Sequence, residues 1–91
     1  MKPTSFKAIG KYFKEGRLKC GLTQEDVSDY LGYLSKQIVS NWERGVCAPP
    51  LHELGSLITV LRLDRKTVID LFMSARKYEL LEVLRKRGIN G

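Results

Sequence analysis

The sequence predicts an all-α fold: five helices in one small domain, the last continuing into an extended C-terminal helical segment. Three observations carry this. Apolar residues recur every three or four positions in successive segments, Gly- and Pro-bearing stretches punctuate them, and no strand-type run interrupts the series. A chain of 91 residues with 43% apolar content holds one core and leaves no room for a second functional domain. It contains no stretch of about 18 apolar residues of the kind that crosses a membrane. The opening "MKPTSFKAIGKYFKEG" mixes charge with apolar residues and lacks the continuous apolar region of a secretory signal. The expectation is a soluble, cytoplasmic protein without membrane contact.

The first helix is expected over residues 5 to 19, where Phe6, Ile9, Phe13 and Leu18 recur at helical spacing and Gly21 stops it. Gly16 interrupts this helix at a cost of roughly 1 kcal/mol relative to Ala, which suggests close approach of another element. Thr23 with Asp26 three residues later forms a shortened capping box for the second helix. Glu25 and Asp26 suit the positive end of its dipole, Val27, Tyr30 and Leu31 supply an inward face, and Gly32 ends it. Ser35 is a good N-cap for a third helix running to about Glu43. Ile38, Val39 and Trp42 share one arc of about 100° and anchor it, while Gln37, Ser40, Asn41 and Arg44 occupy the opposite arc.

After the loop "GVCAPP", Pro50 opens a fourth helix to residue 61, with Leu51, Leu54, Leu57, Ile58 and Leu61 repeating at helical period. Asp64 caps the fifth, whose stripe is Val68, Leu71, Phe72 and Ala75. Beyond residue 76 the phase changes: Leu80, Val83 and Leu84 point roughly 130° away from that stripe on an ideal helix. Either the helix breaks between Arg76 and Glu79, or its second half packs against something other than the core. The second is preferred, with Gly88 as the stop.

Net charge is +6, and Lys2, Lys7, Lys11, Lys14, Arg17 and Lys19 crowd the first 21 residues against the single acid Glu15. Basic chains of this size often meet polyanions, although such charge also serves solubility alone. Two short helices joined across a Gly-containing turn, the second with an outward polar face free of acids, describe a helix-turn-helix reader of DNA. The B-DNA major groove, about 12 Å wide, accepts one such helix. Trp42 shares the arc of Ile38 and Val39, so it belongs to the core rather than to a stacking platform. Lys7, Lys11 and Lys14 are phosphate contacts or solvated charge with equal weight. His52 reads as a surface residue, and Tyr12, Tyr33 and Tyr78 receive no role.

No Ser-His-Asp, Cys-His or paired-carboxylate arrangement has a plausible cleft, so no catalytic residues and no enzymatic activity are expected. His52, Cys20 and Cys47 complete no metal-ligand spacing, and neither metal nor cofactor is expected. The two cysteines read as reduced, partly buried thiols, with a disulfide or redox switch as the alternative.

"LTQEDVSDYLG", "SKQIVSNWERG" and "APPLHELGSLITVL" together resemble the Cro/C1-type (Xre-like) helix-turn-helix domain of phage repressors and bacterial regulators, over residues 6 to about 72. The resemblance implies a lambda-repressor-like domain over residues 1–76 and leaves 77–91 as an extension. It makes Gln24 a phosphate and base-edge contact, places Lys36, Gln37 and Asn41 at base-reading positions with Ser40 beside them, and makes Arg44 a phosphate contact just past the third helix. Val39 and Trp42 hold that helix to the core. It also pairs Arg17 with Glu43 as a structural ion pair. Two departures stand out: "GYLS" carries one residue more than the family's usual turn, so Tyr33 and Leu34 set how the third helix is presented, and Arg62 stands where the family commonly has Gly, which implies strain if it is left-handed.

The function these features lead to is a sequence-specific regulator of transcription, a repressor, acting as a homodimer on a pseudo-palindromic double-stranded DNA operator. Tyr78 to Arg87 is the candidate dimer contact. The alternative is an interaction module, such as an antitoxin or adapter, whose main partner is a small protein seated on Leu80, Val83 and Leu84.

Overall fold

The structure, a computed structural model, describes residues 5–86. The helices are α1 (Phe6–Lys19), α2 (Gln24–Leu31), α3 (Gln37–Arg44), α4 (Leu54–Leu61) and α5 (Arg65–Lys86), with a 3-10 turn at Leu51–Glu53 leading into α4. No strand occurs among the described residues. The stop expected at Gly88 and the end of the Tyr78–Arg87 segment lie outside them.

Local chemistry sets most boundaries. The Thr23 hydroxyl accepts the Asp26 N–H at 3.0 Å and the Asp26 carboxylate accepts the Thr23 N–H at 2.9 Å, a complete capping box. Asp64 caps α5 by accepting from the backbone N–H and hydroxyl of Thr67 at 2.9 and 2.7 Å. Both carboxyls are held below the usual carboxylate range, by the Thr23 and Thr67 donors respectively. Gly32 and Gly45 end α2 and α3 with φ of 84° and 73°, the left-handed conformation that a Cβ would strain.

α1 lies centrally and packs on α3, α4 and α5. Its Ile9 and Phe13 share one core with Val27 of α2, Val39 and Trp42 of α3, Leu57 and Leu61 of α4, Leu63, and Val68 and Phe72 of α5. Two glycines permit this closeness. A Cβ on Gly10 would strike the carbonyl oxygens of Trp42 and Glu43, and one on Gly16 would stand 2.5 Å from the Leu63 side chain and 3.2 Å from the Leu61 carbonyl oxygen.

Several expectations need correction. Leu18 and Tyr30 are 58% and 57% exposed. The buried stripe of α1 continues through Gly16 and Arg17 instead, and the inward arc of α2 runs through Val27, Ser28 and Leu31, leaving Tyr30 on its flank. Leu51 is exposed because Pro50 opens a 3-10 turn, not α4, and the tighter winding rotates Leu51 outward. Ser35 acts as a cap, accepting the Gln37 N–H at 3.1 Å, although the residue flanking α3 is Lys36. Arg44 is the last residue of α3 rather than the first beyond it. Arg62 takes φ 52° and ψ 48°, the one non-glycine residue with positive φ among those described.

The phase change in α5 is not a break: the helix runs unbroken for 22 residues. Phe6 and Phe72 meet edge to face at 5.7 Å, and the Arg76 guanidinium lies 5.3 Å from both ring centres, closing that end of the core. Past this point Leu80, Leu81, Val83 and Leu84 are all exposed. No helix among the described residues is long and apolar enough to cross a membrane.

Candidate nucleic-acid interface

Helix α3 is fixed from behind. Val39 and Trp42 are buried, and Ile38 packs partly buried against the core. At its C-terminal end, Gly45 lies so close to the backbone of Lys7 that a Cβ there would come within 2.8 Å of it.

The one acid of α3, Glu43, is turned inward. Its Oε2 accepts from Arg17 Nε at 2.6 Å and its Oε1 from a terminal nitrogen of Arg17 at 3.1 Å. The other terminal nitrogen of Arg17 donates to the Leu22 carbonyl at 2.9 Å, and Gln24 Nε2 donates to Glu43 Oε1 at 3.0 Å. Four hydrogen bonds thus join α1, the start of α2 and the end of α3, and they remove the negative charge from the outward face.

That face carries Lys36, Gln37 and Arg44 exposed, with Ser40 and Asn41 half-buried between them. Gln37 Nε2 and an Arg44 guanidinium nitrogen both donate to Asn41 Oδ1, at 3.0 and 2.7 Å. Asn41 is left with its amide N–H groups to donate outward, and Gln37 with its carbonyl oxygen to accept. The face therefore offers donors and acceptors of the kind that match base edges. Gln24 donates inward to Glu43 and lines an open cleft with Arg17, Thr23, Glu25 and Lys36, the first residue of this row, where the starts of α2 and α3 face each other.

The turn between α2 and α3 is held on both sides. Ser28, buried in α2, has its hydroxyl 3.3 Å from the Tyr33 carbonyl and 2.9 Å from the Ser35 carbonyl, donating to them. Tyr33 meets Trp42 edge to face at 5.8 Å, and the Glu53 carboxylate beside its phenol, together with burial, pushes the phenol pKa up to about 12. The indole N–H of Trp42 finds no hydrogen-bond acceptor among the described residues, and the Tyr33 ring packs against that side chain. Sequence reasoning gave Ser28 no role and Tyr33 only a place in the lengthened turn. The available signal was a hydroxyl on the inward arc of α2 one turn before Gly32. Tyr12, also unassigned, accepts the Asp64 N–H at 2.9 Å and ties α1 to the start of α5.

A model of the helix-turn-helix family matches residues 13–66, from the middle of α1 to the start of α5, and includes both helices just described. The chain belongs to the Cro/C1-type helix-turn-helix family. No curated protein and no solved structure matched it in parallel comparisons. Membership makes this helix-turn-helix protein a DNA-binding regulator in general terms, with DNA as its partner. Within it both cysteines are free, Cys20 half-buried as expected with its thiol 3.5 Å from the Leu61 carbonyl, but Cys47, in the loop after α3, exposed rather than partly buried. No group of three or more His, Cys, Asp or Glu positioned to hold a metal occurs among the described residues.

Proposed function

We propose that the chain is a sequence-specific transcriptional repressor that places α3 in the major groove of double-stranded DNA and acts as a homodimer on a pseudo-palindromic operator. The observation that carries this reading is the composition of the outward face of α3: Lys36, Gln37, Ser40, Asn41 and Arg44 stand together while Glu43 is buried and neutralised. Lys donates to guanine O6 and N7, and Gln or Asn pairs bidentately with adenine, each good pair being worth about 1–3 kcal/mol of discrimination. Gln24, at the start of α2, takes a phosphate and the neighbouring base edge, and Arg44 a phosphate. Exposed Lys7, Lys11 and Lys14 add attraction for any polyanion.

In this reading residues 1–76 form the DNA-binding domain, and α5 beyond Arg76 is the dimer contact. Ile69, Met73, Leu80 and Leu84, all exposed, fall within about 60° of one another on α5, and Val83 borders them. An isologous contact along this stripe would set two α3 helices in successive major grooves, about 34–36 Å apart. Repression follows from occupying DNA that polymerase needs. A dimeric mass in light scattering is expected, lost on Leu80→Asp with Leu84→Asp; a monomeric mass for the unaltered chain at high concentration would count against the contact.

The same stripe favours a second reading, in which a small protein covers it and DNA binding is secondary. Co-purification with such a protein at fixed stoichiometry supports that reading. Selection of bound duplexes from random sequence tests the first: an enriched two-fold motif with half-sites about 10 base pairs apart is expected, and no enrichment would overturn sequence-specific reading.

A further inference from the structure

We propose that Leu34 is itself a base-reading residue, contacting the 5-methyl group of a thymine in the major groove beside the residues read by Lys36 and Gln37. The inference rests on the reading of α3 as the recognition helix. Leu34 is 107% exposed, the most exposed of the large apolar side chains described. Isolated exposed apolar residues are common on surfaces, and what separates Leu34 from them is its support. The turn that carries it is not slack.

The Tyr33 N–H donates to the Ser28 carbonyl at 3.0 Å, and the Ser28 hydroxyl reaches the carbonyls on both sides of Leu34, those of Tyr33 and Ser35. The Tyr33 ring is fixed against Trp42 at 5.8 Å. Ser35 in turn accepts the first N–H of α3. Leu34 is therefore an apolar side chain held outward between two anchored neighbours, and it precedes Lys36 by two positions. In a helix-turn-helix complex the N-terminal residues of the recognition helix are the ones that meet base edges. The major groove presents one apolar group, the thymine methyl, and removing that methyl and a Leu side chain from water together is favourable without any hydrogen bond. The additional residue in this turn thus has a use: it places Tyr33 inward as a brace and leaves Leu34 at the groove.

The test uses the duplex enriched in selection with the whole chain, its thymines replaced one at a time by deoxyuridine, which removes only the methyl group. Binding is measured for the unaltered protein and for Leu34→Ala, with thermal melts to confirm that the exposed substitution leaves the fold intact. One thymine per half-site is expected at which deoxyuridine weakens the unaltered protein about three- to fivefold, the loss of one methyl contact. At that position Leu34→Ala should show no further loss while keeping its sensitivity elsewhere. Identical deoxyuridine profiles for the two proteins would overturn the role of Leu34 while leaving DNA reading intact. Failure of the unaltered protein to enrich any motif would instead overturn the underlying reading, and the assignment of Leu34 with it.

Discussion

Arg17 and Glu43 lie 26 positions apart in the chain, yet the guanidinium of one meets both carboxylate oxygens of the other in a site where the two side chains are 10% and 4% exposed. With the carbonyl of Leu22 and the amide of Gln24 the pair fixes α3 relative to α1 and α2. Breaking a buried pair leaves one charge unpaired, so Arg17→Met or Glu43→Leu alone should destabilise by about 3–5 kcal/mol, seen as a large drop in melting temperature. The double substitution should recover much of that loss, because both desolvation penalties disappear together. Additive losses in the double variant would show that the pair is not the coupling between these helices.

Two backbone positions should respond in opposite directions. Gly10→Ala places a methyl group against the Trp42 and Glu43 carbonyls, which are helix backbone and have little freedom to retreat, so a loss of about 1–3 kcal/mol is expected. Arg62→Gly relieves a left-handed conformation costing roughly 1–2 kcal/mol, partly offset by the greater unfolded freedom of glycine, for a net gain of about 0.5–1 kcal/mol. Denaturant midpoints at unchanged slope measure both.

The Tyr33 phenol makes stability fall at alkaline pH. Its folded pKa is raised to about 12 from 10.0, so its contribution is fully present below about pH 10 and is lost as pH rises towards 12. In an absorbance titration of phenolate one ionisation, that of Tyr33, should fall well above pH 10. Glu53→Gln should bring it back towards 10, and an unchanged titration would show that Glu53 is not what raises the phenol pKa. At the acid end, the depressed pKa values of Asp26 and Asp64 mean that their capping contributions are present above about pH 4 and disappear as pH falls through the folded values. Asp26→Asn with Asp64→Asn should flatten that acid limb.

Replacements on the two basic surfaces should separate base reading from charge. Gln37→Ala is expected to relax preference at one operator position by about 1–3 kcal/mol, whereas Lys11→Ala, if it meets phosphate, should weaken all sequences alike and reduce the salt slope by about 1. Competition binding against single-base variants at two salt concentrations distinguishes these outcomes.

What was legible in the sequence was local. Thr23 with Asp26, Asp64 and Gly32 announce helix ends through chemistry contained within four residues, and Ile38, Val39 and Trp42 reveal the inward side of α3 through spacing alone. Arg17 and Glu43 were paired through the family pattern, not through spacing. What stayed hidden depends on distant partners: Tyr33 gains its role from Glu53 and Trp42, Tyr12 from the backbone of Asp64, and Gln24 its inward bond from Glu43. Leu18, Tyr30 and Leu51 were misplaced because each lies one position or one turn beyond the arc that its neighbours actually bury. The continuity of α5 was an open choice from periodicity, and it resolves as one unbroken helix whose Arg76 lies over Phe6 and Phe72 at the end of the core.

The most direct test of sequence-specific recognition by α3 is the dissociation constant of the whole chain for its selected duplex against a scrambled duplex of equal length, at matched physiological salt. A preference of about a thousandfold or more is expected, falling sharply for Gln37→Ala with Asn41→Ala. Equal affinity for the two duplexes, with the same salt dependence, would contradict it.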